Sequence, residues 1–586
     1  MDTKEKRATS RYVTAILDPS TTGISIEDLA SNRGDGLCVA SRLGPDPLIP
    51  LSAKELDPRS VDIDSICRWL TECDSMHSLA CKPQASHNLN HIRLIDVESR
   101  CIVNYSSETR IYLALSYVWG KGRQNVAGAG LPGTKLGILP PTIEDALAFT
   151  RDLDKRYLWV DLVCIEQNNE NDKLKQMGIM SDIFQGAYAT IVAFDGTRLL
   201  GLGPALYQLN WVLPWSKRGW TYQEAILSPR CIFISKFHVY MECNALTYCE
   251  TLDSRQSPVH LSPHDKDSFK KDTVLRKINT GVLRSPFSAN IDLENGALHL
   301  YGLYVAIYSI RDLTKQSDAL YAFSGILQAL EKTAYKKGFS WALPNEDLNW
   351  ALLWKPENGQ RRNERFPTWS WLSWQGQVYV GQPTEDRPED THRWLFDLTI
   401  WKAGNSATEK IFEQRYSDMD VAEKRTLLDD PLAETNIPSE EGEKDDALAH
   451  LWNMEHAVKS QTLCIESYLF RFSPAVWEEI VKARTKRFRY FKTLIEDVWI
   501  YFVVLSSSDL STTQGRNKGE AQFLLLARFL HPEEDGNGLV DHYLLMIESN
   551  AAGVFERSCV VLMEVPKEDL WVLEELGLVR TKILLA

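Results

Sequence analysis

The residues with most chemistry to offer lie in one short stretch, RGWTYQEA, at positions 218–225. Helical spacing over Trp220–Ile226 puts Trp220 and Glu224 four apart on one face. A carboxylate set over an indole floor is half withdrawn from water and can receive a polyhydroxylated or cationic ligand. The structural alternative is a surface Glu paired with Arg218 or Lys217, or capping a neighbouring loop. A second carboxylate, Asp161, interrupts the apolar run WVDLVCIEQ. A charge there needs a partner or a cap, and ligand contact and capping both stand open. Cys164 in the same run has no nearby His and reads as core, not nucleophile. Cys73, His77 and Cys81 recur at i, i+4, i+8, with Cys67 and His87 close by. Zinc uses these residue types, usually as close pairs from a turn plus a distant second pair. Small buried cysteines on a helix face explain the same letters, and no metal is assigned. His260 and His264 sit in polar sequence and read as solvated. The chain shows no Ser-His-Asp set in local context and no Gly-rich Lys-Ser/Thr phosphate loop.

Four buried-type strands must position these groups. IYLALSYVW (111–119) ends at Gly120, RYLWVDLVCI spans 156–165, YATIVAF spans 188–194 and RCIFIS spans 230–235. Helical patterns lie between them. Thr142 is the expected N-cap of one, with Asp145 three later. A single helix is expected to present Leu174, Met177, Met180 and Phe184 on one face. A helix from Trp220 runs to the stop at Pro229. This alternation predicts a parallel α/β sheet flanked by helices. Ligands bind such sheets beyond the carboxyl ends of the strands, where Ser116–Gly120, Asp161 and the loop after Phe194 should gather. The Gly-rich loop 120–133 is a plain connector or a nucleotide-facing loop. Outside this core, 1–60 is a poorly defined lead, 61–81 a helix and 91–97 a strand. Residues 251–415 are mixed helical and aromatic, 416–447 an acidic linker or loop, and 448–586 β-rich.

The 586 residues are 44% hydrophobic and 10% aromatic, which is globular composition with room for more than one core. The 79 acidic against 65 basic residues leave a net charge of −14, which argues against a nucleic-acid partner. The longest apolar passage, ALHLYGLYVAIYSI, is too short and mixed to span a bilayer. The polar start MDTKEKRATSRYV lacks a secretory h-region, and eleven scattered cysteines suit a reducing compartment, so a cytoplasmic protein is expected.

YLALSYVWG, then TIEDALAFTRDLDKRYLWVDLVCIEQNNENDKLKQMGIMSDIFQGAYATIVAFDG, then RGWTYQEAILSPRCIFISKFHVYMEC resemble the three blocks of the fungal heterokaryon-incompatibility (HET) domain. The resemblance runs from about 111 to 250, with a helical lead-in from 61. SDALYAFSGI and FPTWSWLSWQG resemble segments that commonly follow, and LTECDSMHSLACKP resembles the usual lead-in. The resemblance implies non-self recognition in filamentous fungi, with growth arrest or cell death as the response. The HET domain is remotely similar to the TIR domain, which implies a flavodoxin-like fold here. Trp220 and Glu224 have the Trp-x-x-x-Glu spacing of the TIR motif whose Glu is catalytic in NAD-cleaving members. Thr221 stands where a Cys is usual, and EQNNENDK has no convincing TIR counterpart. By that resemblance Glu224 would be the catalytic carboxylate and Trp220 its packing floor. Ser116, Tyr117, Trp119, Gly120 and the 120–130 loop would face the nucleotide, and Asp161 would contact a ribose or hold the loop. NAD would be the substrate, cleaved to nicotinamide and ADP-ribose with no cofactor required. Activation by self-association and an unknown protein trigger follow from the same resemblance. The alternative is a non-catalytic module that signals through self-association, its C-terminal portion sensing a partner.

Overall fold

Tyr112–Ser116 (β3) is five residues buried without interruption, as expected of a strand covered on both faces. The computed structural model describes residues 52–53, 61–76, 79–120, 126–193, 214–234, 239–244, 247–250, 252–253, 296–357, 360–361, 365–380, 394–403, 408–414, 462–472, 478–480, 489–495, 498–504, 521–530, 539–549, 554–576 and 578–586. The expectations placed on residues 1–51, the loop stretch 121–125, the loop after Phe194, His77, His260, His264 and residues 416–447 lie outside these. The chain divides into two compact units. One is Met1–Ile291 with Arg311–Thr314 and Tyr321–Ala329; the other is Asp292–Ile310 with Lys315–Leu320 and Leu330–Ala586.

In the first unit, β3 pairs in parallel with Tyr157–Trp159 (β4) on one side and with Ala189–Ala193 (β5) on the other. Arg230–Ile234 (β6) continues the parallel set beside β5. In chain order the four parallel strands therefore lie second, first, third, fourth. Antiparallel strands extend both edges, Arg93–Asp96 (β1) and Cys101–Asn104 (β2) beyond β4, Val239–Cys243 (β7) and Thr247–Cys249 (β8) beyond β6. The sheet is thus mixed, with a parallel centre and antiparallel margins, and helices flank it.

Several local expectations change for identifiable reasons. The helix Ile63–Met76 (α1) buries Ile66, Trp69, Leu70 and Cys73 and begins where the Asp62 carboxylate accepts the Ser65 N–H. It ends before Cys81, so Cys73 and Cys81 do not share a helix face. Pro141–Asp152 (α2) starts on Pro141 in place of a Thr142 cap, because proline's missing N–H costs nothing at a first helical position. The Leu139 N–H is taken by Glu144, one turn in. The second strand stops at Trp159, and Asp161–Cys164 (α3) is a single helical turn. The expected single helix over 171–187 is two, Glu170–Gly178 (α4), capped by Asn169, and Met180–Gly186 (α5). The break at Ile179 turns Leu174 to solvent, 54% exposed, while Met180 and Phe184 stay in the core.

Among the described residues the second unit carries an eleven-stranded, almost wholly antiparallel sheet, led by the long strands Leu463–Phe472, Ala521–Leu530, Leu539–Ser549 and Phe555–Pro566. The β-rich C-terminal expectation holds. Arg557 is buried in this unit, donating to the carbonyls of Leu352 and Trp354 with its guanidinium over the Trp354 ring.

Candidate functional site at the strand ends

Ser116 is the last residue of β3, and its buried hydroxyl is the junction of the site. It donates to Glu224 Oε2 at 2.5 Å and accepts the Trp215 indole N–H at 2.8 Å. Trp215 lies on Pro214–Lys217 (α6) and Glu224 on Gly219–Ile226 (α7). The two short helices are locked at their junction by Thr221, whose hydroxyl reaches the carbonyls of Trp215 and Arg218. Ser228 closes the other end, donating to the Glu224 carbonyl and pairing with Thr190 of β5.

The expected arrangement, Trp220 buried beneath a half-buried Glu224, is not what is found. Trp215 is fully buried and Glu224 is only 9% exposed, whereas Trp220 is half-buried at the margin of the core. The floor beneath Glu224 is therefore the Trp215–Ser116 relay and not Trp220. Burial pushes the Glu224 carboxyl up to about 7, against the Ser116 hydrogen bond and the Arg218 charge, with Asp161 raising it further.

Asp161 opens α3, where its carboxylate accepts its neighbour Leu162 N–H at 2.6 Å and the Trp119 indole N–H at 2.9 Å. Dense surroundings push its carboxyl up to about 6, opposed by these bonds and by Arg218. Asp161 thus holds the start of the loop that follows β3. Trp119 keeps 37% of its surface exposed, and Gly120 is exposed beside it. Tyr117 is buried next to Asp161, its phenol held well above the usual range by burial and then by that carboxylate. Arg218 donates to the Tyr117 carbonyl at 3.3 Å.

The remainder of the Gly-rich loop is structural from 126 onward. Gly130 donates to the Val163 carbonyl, and its left-handed backbone brings it so close to α3 that a Cβ would lie 2.4 Å from the Glu166 nitrogen. Cys164 is core as expected, its thiol pushed up to about 12 by burial.

Serine, carboxylates and Trp119 were visible as candidates by type and position. Trp215 carries no such signal, since its partner Ser116 lies 99 residues away. Two further supports were also missed. Gln223 accepts the Gly325 N–H, and Arg311 stacks over the Tyr222 ring and donates to the Arg218 carbonyl. Both come from segments that return to this unit after residue 310. The product is a pair of coupled carboxylates, Asp161 and Glu224, beyond the carboxyl ends of parallel strands, with Arg218 moderating both and an exposed indole alongside.

The family model described as heterokaryon incompatibility protein (HET) matches residues 112–212. The chain carries a HET domain. The match takes in Ser116, Tyr117, Trp119, Gly120 and Asp161 and ends before α6 and α7. The chain is also 28% identical over 145 residues to heterokaryon incompatibility protein 6, OR allele, of Neurospora crassa, a match covering 21% of this chain and 20% of that protein. The chain thus matches about a fifth of that relative's length. No solved structure matches it. Among the described residues no helix is long and apolar enough to cross a membrane.

Proposed function

We propose that this chain acts in heterokaryon incompatibility, triggering cell death on non-self recognition, and that its HET domain does so by cleaving NAD to nicotinamide and ADP-ribose. The observation that carries the chemistry is the Ser116–Glu224–Asp161 cluster, two carboxyls raised toward neutrality at the ends of parallel strands. The spatial order second, first, third, fourth supports a flavodoxin-like, TIR-related reading of the sheet, whose switch point falls between β3 and β5, beside Ser116.

Nicotinamide leaves NAD as a neutral molecule, so no general acid is needed at the leaving group. The C–N bond to the ribose carbon breaks through an oxocarbenium-like state, as in glycoside hydrolysis. A water then adds to that carbon and releases a proton to give ADP-ribose. Ionised Glu224 is the group to hold ribose hydroxyls and face that developing charge. Ser116 fixes its carboxylate by a hydrogen bond, and Trp215 fixes the Ser116 hydroxyl by another. Asp161 positions Trp119, whose exposed ring is available to stack on a flat base. Self-association belongs to the same reading, as the way in which such a domain is switched on.

The test is release of free nicotinamide from NAD by the purified full chain, as monomer and as a forced oligomer. Glu224→Gln should lower turnover by about a hundred-fold or more. Equal turnover by both proteins removes Glu224 from the mechanism, and no turnover in either state removes the enzyme. A second reading rests on the closure of Glu224 by Ser116, which is how a structural carboxylate is also held. In that case the domain signals by association alone, and toxicity on overexpression survives Glu224→Gln.

A further inference from the structure

Cys73 near the end of α1, Cys81 in the turn after it and Cys243 at the end of β7 bring their three sulfurs within 4.8 Å of one another, all buried. We propose that these three sulfurs hold a divalent metal ion of the zinc class. The ligands are two cysteines eight positions apart at a helix end and the turn after it, plus a distant third from a strand. Zinc–sulfur bonds of about 2.3 Å set sulfurs about 3.8 Å apart in a tetrahedral site, so at most about 1 Å of closure is needed here.

Two neighbours point to an ion and not to three packed thiols. Arg230, 2% exposed, directs its Nε–H at Cys73 Sγ at 3.1 Å. The rest of its guanidinium is occupied by the Tyr188 carbonyl at 2.9 Å and the Asp74 carboxylate at 2.5 Å. A buried cation aimed at a sulfur is a poor companion for a neutral thiol and a good one for an anionic ligand set. Three thiolates around a divalent ion leave one negative charge, and the Arg230 guanidinium, shared with Asp74, lies against it. Such a hydrogen bond to a ligating group is the usual outer support of a metal site. Tyr248, on β8, is the second. Its hydroxyl is buried with no hydrogen-bond partner among the described residues, within electrostatic reach of all three cysteines. It is the group left to serve the fourth position, directly or through a water.

The site would tie the end of α1 to the β7–β8 margin of the sheet, a structural role separate from the carboxylates at the strand ends. The full chain, purified without chelators, should contain about one zinc by elemental mass spectrometry, as a closed thiolate site requires. Replacement by cobalt should give sulfur-to-metal charge transfer and the intense visible bands of tetrahedral thiolate coordination. Cys243→Ser should lose the metal, while Cys101→Ser, outside the cluster, should keep it. A chain that takes up neither ion overturns the proposal, as does a disulfide between any two of the three in peptide mapping. Stoichiometric metal in Cys243→Ser overturns it too. If Cys243→Ser does not fold, the cobalt spectrum of the unaltered chain decides alone.

Discussion

Glu224 is an expensive residue to keep where it is. Its carboxyl sits near 7 in the folded chain against an ordinary 4.5, so between those values the folded state retains a proton that the unfolded state has lost. Stability therefore falls as pH rises from about 4.5 to about 7, by on the order of 3 kcal/mol for this group alone. Glu224→Gln should flatten that slope and raise the melting temperature at pH 8 while leaving it little changed at pH 4.5. Thermal unfolding of both proteins across this range measures it, and a variant less stable at pH 8 would contradict the burial argument. For NAD cleavage the sign is opposite, because the ionised form works. Nicotinamide release should rise with pH through about 7, as Glu224 loses its proton. Trp215→Phe keeps an aromatic ring but removes the N–H that polarises Ser116 and leaves a cavity in a fully buried site, costing on the order of 2 kcal/mol or more. It should carry the rise in the pH profile to higher pH, a shift that a purely packing role for Trp215 would not produce.

The elements that aim these residues were legible where one physical rule acted alone. Buried β-type runs became β5 and β6 to within a residue at each end. By contrast, β3 stops at Ser116, three residues short of the expected Trp119, and α7 ends at Ile226, ahead of Pro229. The helix over 171–187 failed because a long apolar spacing does not report a break, and Ile179 divides it while exposing Leu174. The run RYLWVDLVCI hid a strand-to-helix change because both elements are buried and apolar, which leaves no periodicity to separate them. Long-range supports left no local mark at all. Gly325 is one such support, and its place in the first unit is sterically defined. A Cβ there would meet Ser181 Cβ at 2.6 Å and Leu227 Cδ1 at 2.7 Å, against α5 and the end of α7. Its N–H also holds the Gln223 side chain at 2.8 Å, next to Glu224. Gly325→Ala should destabilise the chain by about 1–3 kcal/mol through overpacking and loosen α7. Denaturant unfolding gives the first effect, and faster amide exchange in residues 219–226 gives the second. An unchanged midpoint would mean that the helix can shift at no cost.

At the scale of the whole molecule, length left room for more than one core, and two units are found, one of mixed α/β build and one dominated by antiparallel strands. Their division could not be read from the chain, because 311–314 and 321–329 rejoin the first unit after the second has begun. The net charge of −14 acts on both units together and bears directly on the proposed switch by self-association. Like-charged copies repel, so a short-range attraction must work against that field. Raising ionic strength from about 0.01 M to about 0.1 M shortens the screening length from about 30 Å to about 10 Å and weakens the repulsion, while apolar contacts are little affected. Association should therefore strengthen with salt, and nicotinamide release per chain should climb more steeply with protein concentration at the higher salt. Light scattering and specific activity, followed on the same dilution series at both ionic strengths, make the comparison. Salt that dissociates the assembly would instead place complementary charges at the interface. Release per chain that ignores concentration at both salts would separate catalysis from assembly altogether.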